Sequence, residues 1–370
     1  MTRFLLNDER VIKKKIACVH LLNDFSGSPL IFSMAIKGLL LAGNEVTIYT
    51  SKHREGFLCG LNVNYRYIPY SFHKNKWIRL VKFFYSQLCL FFMIINDHRK
   101  IKQVYVNTLL PFGAALAGKI CRKKVSYHLH ESYLQPQSLK KFLRGVASFT
   151  ADDALYVSHY LMNTEPLKGV RNNLVYNALP DEFVNKAKHH IYHPMKNNFT
   201  VLMICSLKAY KGVNEFVSLA TRFPALNFEM VLNANEKEVE AHFLNVVTPS
   251  NLKLFTVQSD VHPFYQRASL VLNLSNPENC VETFGMTLLE AMCYGIPVIA
   301  PPVGGPAELI TSSVNGFCID VRNTSQLDNA IEKFSTDFEM LNNISLNARQ
   351  TALKFSEAKL QHNVVNTLLA

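Results

Sequence analysis

The sequence predicts an α/β protein of two tandem domains. Three observations predict it: the length, two separate series of alternating strand and helix patterns, and a polar, basic stretch between them. At 370 residues the chain exceeds one ordinary core, and length alone favours two domains of roughly 150–200 residues. Hydrophobic residues make up 48% and charged residues 18%, the balance of a globular chain and not of a disordered one.

The first series opens with an apolar strand at 16–22 (IACVHLL), the loop NDFSGSP, and a helix pattern running to Leu41. Gly43 and Asn44 close that helix, and 45–50 (EVTIYT) is the next strand. Strand, glycine-containing loop, helix and strand in so short a span make a βαβ unit. Further apolar strands at 104–107, 125–129 and 154–157, with helical patterns between, give a parallel sheet. Residues 181–198 are polar, basic and without regular pattern, and so predict a linker. A second series then places strands at 200–205, 227–232, 252–255, 270–274 and 297–300. Helices at 213–221, 236–245, 261–267 and near 286–294 alternate with them.

Charge divides along the same line. Residues 1–198 carry 28 Lys and Arg against 12 Asp and Glu, a net of +16; residues 199–370 carry 11 against 16, a net of −5. The basic half calls for an anionic partner: phosphate, nucleic acid or an anionic membrane surface. No helix-turn-helix, zinc finger or RNP-like motif supports nucleic acid. The eight cysteines form no C-x-x-C pair and most lie in apolar runs, as reduced thiols of a cytosolic protein do. No Cys/His cluster has zinc-ligand spacing. The N-terminal apolar stretch, residues 4–6, is too short for a signal peptide. The run 83–95 would span about 20 Å as a helix, short of the ~30 Å hydrocarbon core. Just before it, Lys76, Arg79 and Lys82 recur every three residues on one helix face beside Trp77, Phe83 and Phe84. That face suits an anionic bilayer surface; a packed helix with a solvated basic edge is the alternative.

The chemistry concentrates in 275–310, whose centre reads ETFGMTLLEAM. Glu282 precedes a Phe-Gly turn, and Glu290 follows eight residues later inside a helix pattern. Gly285 sits where the backbone must turn sharply or approach something closely. The helix start offers unsatisfied amides and a positive dipole end, suited to a phosphate. A carboxylate one turn in, tilted back towards that end, can accept from two neighbouring hydroxyls such as those of a ribose, each bond contributing roughly 1.5–3 kcal/mol.

ETFGMTLLEAMCYGIPVIA resembles the signature of family-4 glycosyltransferases of the GT-B fold, whose two acids are spaced E-x7-E. CSLKAYKGV (205–213) resembles the family's G-R-L-x-x-x-K-G, with Lys211 and Gly212 in register. VGGPAELI, NGF, ALYVSHYL and LVYNALPDEF match further family segments. The resemblance covers most of 16–356 and is strongest from 199 onwards. It implies two Rossmann-like domains facing each other across a cleft, with a last helix crossing back to the first. The domain plan is then a basic extension (1–15), an acceptor domain (16–180), the linker (181–198), a nucleotide-sugar domain (199–355) and the crossover helix (356–370).

The same resemblance implies roles. Glu290 binds the nucleotide ribose, Glu282 lies by the donor sugar, and Phe284, Gly285 and Met286 hold the donor through the turn. Lys211 meets the diphosphate. Ser206 replaces the family's Arg, and Lys208 is the candidate for the missing charge; Thr283 and Ala178 each replace a Gly. In the first half, Gly27 and Ser28 of the DFSGSP loop offer amides to the donor diphosphate, with an ordinary βα turn as the alternative. His128 and His130 end a strand on the side where open α/β sheets bind ligands. The family places a His there beside the donor sugar, so His130, further towards the loop, ranks above His128, with Glu131 a weaker candidate. A histidine merely satisfied at a strand end is the competing reading.

The expected activity is therefore retaining transfer from a nucleotide-sugar donor to a saccharide or polyprenyl-linked acceptor in bacterial surface-polysaccharide synthesis, without metal or cofactor. It would take place in the cytoplasm or on the cytoplasmic face of the inner membrane. A GT-B nucleotide-sugar 2-epimerase is the alternative enzyme, and a basic nucleic-acid-binding protein the alternative of another class.

Overall fold

The computed structural model describes residues 14–52, 55–193 and 198–370; most of the expected basic extension and residues 194–197 of the expected linker lie outside them. Contacts divide the chain into two units. One holds the residues up to Val157, Met162–Val175 and Ala358–Ala370; the other holds Ser158–Leu161 and Tyr176–Glu357.

The first unit runs β1 (Lys15–Val19), α1 (Gly27–Leu41), β2 (Glu45–Ser51), β3 (Asn64–Ile68), α2 (Lys76–Asp97), β4 (Gln103–Asn107), α3 (Phe112–Ile120), β5 (Lys124–Leu129), α4 (Gln137–Thr150) and β6 (Asp153–Tyr156). After α5 (His159–Thr164), which straddles the division, comes β7 (Arg171–Leu174). Its seven strands are parallel in the order β3-β2-β1-β4-β5-β6-β7. The central strands are buried on both faces, which is why they read as unbroken apolar runs. The edge strands β3 and β7 were invisible to the sequence reading because most of their residues are exposed or half-buried.

The second unit runs α6 (Asp181–Lys188), β8 (Thr200–Cys205), α7 (Val213–Arg222), β9 (Asn227–Leu232), α8 (Glu236–Phe243), β10 (Leu252–Phe255), α9 (His262–Arg267) and β11 (Leu270–Leu272). It continues with α10 (Met286–Cys293), β12 (Val298–Ala300), α11 (Pro306–Leu309), β13 (Phe317–Cys318), α12 (Thr324–Thr336) and α13 (Phe338–Ala352). Its parallel sheet has the order β10-β9-β8-β11-β12-β13.

Two expectations need correction. Residues 181–188 are helix α6 and not linker: Asp181 and Glu182 occupy its first turn, Lys186 and Lys188 its last. That arrangement complements the helix dipole, yet its mixed charge reads as a solvated connector. The apolar run 83–95 is only part of α2, which has 22 residues and so extends about 33 Å. The length argument against a spanning helix therefore fails, and the packing described below replaces it.

The last helix, α14 (Glu357–Leu369), groups with the first unit from Ala358 onwards. A Cβ on Gly38 of α1 would stand 2.7 Å from Gln361 Cβ, so glycine is what lets the two helices touch. The ammonium of Lys14 donates to Leu369 O (3.2 Å), and that of Lys124 to Thr367 O (3.2 Å) and Leu368 O (3.0 Å). These satisfy carbonyls that a helix end leaves unpaired.

Candidate functional site

In the second unit the sheet order reverses at β8, with β9 on one side and β11 on the other. Crevices at such a switch point, beyond the carboxyl ends of the strands, are where open α/β sheets take ligands. The loops after β8 and β11 lie side by side there. The 3-10 turn Ala209–Lys211 ends at Gly212 with φ +80°. A Cβ on Gly212 would stand 2.4 Å from both Cβ and O of Leu274, and Asn276 N donates to Tyr210 O at 2.8 Å. This close stitching brings the Lys211 ammonium 2.5 Å from Glu282 Oε2, with both side chains largely buried. Burial pushes the Lys211 pKa down, but the Glu282 carboxylate outweighs it and the net shift is upward. The Lys211 ammonium is thus held charged against Glu282, partly withdrawn from bulk water, where its field is stronger.

The other side of the Glu282 loop is fixed by two glycines. Gly305 N donates to Glu282 O at 3.0 Å. A Cβ on Gly304 (φ +80°) would lie 2.3 Å from Glu282 O, and one on Gly305 2.3 Å from Phe284 Cα. The Val-Gly-Gly segment therefore serves close backbone approach. Phe284 is buried, with its ring near those of Tyr176 and Phe355. Gly285, at φ +100°, is the N-cap of α10, so the chain turns directly from Glu282 and Phe284 into a helix start at Met286.

Glu290 lies one turn into α10 and accepts a 2.6 Å hydrogen bond from Tyr265 Oη. Burial raises its pKa to about 7, against the lowering effect of that bond. Tyr265 is fully buried and carried no signal in the sequence, because a Tyr on a short helix is ordinary. Ser206 is half-buried and Lys208 exposed, with Lys208 N donating to Ser206 O at 2.8 Å. The structure thus joins Lys211 to Glu282, sets Phe284, Gly285 and Met286 at the helix start, and holds Glu290 through Tyr265.

The first unit carries a second polar cluster, at the carboxyl ends of β1, β4 and β5. Its centre is the fully buried Asn107. Asn107 Oδ1 accepts from His130 Nε2 (2.8 Å), while Nδ2 donates to His20 Nδ1 (3.0 Å) and to Ser28 O (3.2 Å). One amide therefore ties together β1, the start of α1 and the loop after β5. This orientation assigns the proton of His130 to Nε2 and the lone pair of His20 to Nδ1. Burial lowers the His20 pKa to about 4 and that of His128 to about 3. Burial, and then His128 and His20, also lower that of His130, so all three imidazoles are neutral at pH 7.

His128 is fully buried and shares a 2.7 Å bond with Tyr105 Oη; His130 is half-buried. Burial raises the Glu131 pKa to about 7. Gly27 has nothing within 4 Å of where a Cβ would stand, so packing does not require glycine there, and Ser28 offers its carbonyl to Asn107. The residues that sequence reasoning missed here, Asn107 and His20, are single polar positions on strands that are neighbours only in the folded sheet.

Comparisons with known proteins give the family and the fold that this chain is similar to. Residues 185–351 match the family described as glycosyl transferases group 1. The chain is 25% identical over 253 residues to an uncharacterized glycosyltransferase of Methanocaldococcus jannaschii, covering 67% of this chain and 68% of the relative. This chain is a glycosyltransferase. A 56-residue segment is 48% identical to the sucrose synthase of Melioribacter roseus, but that is only 15% of the transferase and 7% of the synthase. The fold of the transferase is that of solved GT-B structures. Anabaena HepE in complex with UDP and glucose superposes with a TM-score of 0.78 at 20% identity, over 96% of this chain and 100% of that one. The lipopolysaccharide outer core galactosyltransferase WaaB, in apo form, superposes with 0.71 at 18% identity, over 96% and 99%.

Proposed function

We propose that the chain transfers a sugar, with retention of anomeric configuration and without a metal, from a nucleotide-sugar donor onto a saccharide or lipid-linked saccharide acceptor of a cell-surface polysaccharide. The observation that carries this reading is the Lys211–Glu282 pair at the switch point of the second sheet, with Glu282 three residues ahead of the α10 N-cap Gly285. A diphosphate there would meet the Lys211 ammonium and the first amides of α10. Glu290, at the right depth for a ribose, would accept from its two hydroxyls. The likeness to HepE bound to UDP and glucose, and to a lipopolysaccharide galactosyltransferase, supports the donor class and the acceptor class.

In this mechanism the acceptor hydroxyl attacks the anomeric carbon on the face from which the diphosphate leaves. The carbon–oxygen bond to the diphosphate breaks as the new glycosidic bond forms. The hydroxyl proton passes to the departing phosphate oxygen, and Lys211 with the helix start stabilises the remaining charge. Glu282 holds Lys211 in place before the donor arrives and lies by the transferred sugar. Within the first unit His130, kept neutral, gives its Nε2 proton to Asn107.

The test is turnover against a panel of nucleotide-sugars in the presence of a chelator, with the anomeric configuration of the product read by NMR. Retained configuration and undiminished turnover are expected; an inverted product or loss of activity on chelation contradicts the proposal.

A further inference from the structure

The largest departure from ordinary surface chemistry lies on α2, which contributes no residue to either cluster. Its inward face (Phe83, Ser86, Gln87, Leu90, Ile94 and Asp97) is buried. Gly113 N of α3 donates to Gln87 Oε1 at 3.1 Å, and a Cβ on Gly113 would stand 2.2 Å from Gln87 O. Asp97 accepts from Tyr49 Oη at 2.7 Å and pairs with Arg66. So α2 is docked on the first unit from Phe83 to Asp97, and a spanning orientation would tear away this packing.

The outward face is apolar as well. Trp77, Val81, Phe84, Tyr85, Leu88 and Phe92 are all exposed, Trp77 to 67%. Their spacing of three and four residues makes one continuous stripe. Phe142 of α4, also exposed, stands 6.4 Å from Phe84 between ring centroids and widens it. An apolar stripe of this length on a soluble domain marks a surface meant to be covered.

Charge indicates what covers it. From Gly56 to Asn96 there is no Asp or Glu, while Arg66, Lys74, Lys76, Arg79 and Lys82 fall within that span. Lys76 lies over the Trp77 ring at 5.5 Å, and Arg79 over Phe72 at 5.1 Å. A second copy of this chain meeting the stripe by two-fold symmetry would set like charges against each other. An anionic bilayer accepts the aromatic side chains at the headgroup boundary and neutralises the cations beside them. We propose that the outer face of α2 docks this chain in the plane of an anionic lipid surface. The sequence pointed to a cationic face beside aromatics; the structure exposes an aromatic stripe with cations at its N-terminal end, Lys82 donating to Ser71 Oγ at 3.0 Å.

Trp77 is the sole tryptophan, so its fluorescence reports the stripe directly. The full chain is titrated with phosphatidylcholine vesicles and with phosphatidylcholine–phosphatidylglycerol vesicles. Blue-shifted emission and shielding from acrylamide with the anionic vesicles are expected, with far weaker effects on the neutral ones. Lys74→Gln and Lys76→Gln should each lower partition about five-fold, ~1 kcal/mol per cation. Tyr85→Ser with Leu88→Ser should abolish the shift while the melting temperature is kept. Unchanged emission with anionic vesicles overturns the proposal. So does a blue shift that grows with protein concentration in the absence of lipid, which would mark a second copy as the occupant.

Discussion

The two units place polar groups at the same end of the same kind of sheet, yet by opposite electrostatics. The second unit keeps an ionised pair, Lys211 and Glu282, beside a helix start. The first keeps two neutral imidazoles, His20 and His130, on one buried amide, Asn107, with neutral His128 beside His130. A charged pair suits a group that departs with negative charge. A neutral hub suits positioning, because hydrogen bonds fix direction without supplying field. The difference teaches that the two halves of one enzyme need not share one strategy, and it can be broken experimentally at each end.

The largest effect is expected at Lys211. Lys211→Met removes the cation facing the leaving group and should lower kcat by about a hundred-fold or more, with a smaller change in donor KM. A change in KM alone would show that the ammonium serves binding and not departure.

Next comes Glu290. Glu290→Gln should weaken donor binding by roughly ten- to a hundred-fold, the loss of charge-assisted bonds. In the wild type, donor affinity should rise as pH climbs through about 7, where the carboxylate forms; the Gln variant should be flat.

Asn107→Asp sharpens the comparison in the first unit. A carboxylate would accept from both His20 and His130 and raise their pKa values. A histidine titration near neutral pH, absent in the wild type, should then enter the kcat profile, and histidine NMR signals would report the same shift. An unaltered pH profile would reduce Asn107 to packing.

The smallest effect concerns stability. His20 and His128, with lowered pKa values, stabilise the fold above about 6.5, and that contribution is lost as pH falls through about 4 and about 3. Glu290, raised to about 7, acts the other way: its contribution is present below the usual carboxylate range and lost as pH rises through about 7. Hydrogen exchange should therefore quicken at acid pH around β1 and β5, and at neutral pH around α10. Parallel behaviour of the two regions would contradict the contrast.

Legibility in the sequence followed the same division. Most strands of both sheets, and Glu282, Gly285, Glu290 and Lys211, could be read directly. A turn, a helix start and fixed spacing leave a local pattern. The Asn107 hub could not be read, because its members come from β1, β4 and the loop after β5, which the sheet order alone brings together. Tyr265 was hidden for the same reason: nothing near it in the chain shows that Glu290 lies beside it. The edge strands β3 and β7 and helix α6 were missed because they bury too little to show periodicity, and the outer stripe of α2 because apolar residues of both faces run together in 83–95.

The most direct test of the central claim is calorimetric titration of UDP, GDP, ADP and CDP into the wild type, Lys211→Met and Glu290→Gln. The account predicts that one or more of these diphosphates binds the wild type, that affinity falls in both variants, and that it rises with pH through about 7 in the wild type but not in Glu290→Gln. Undiminished affinity in both variants would contradict it.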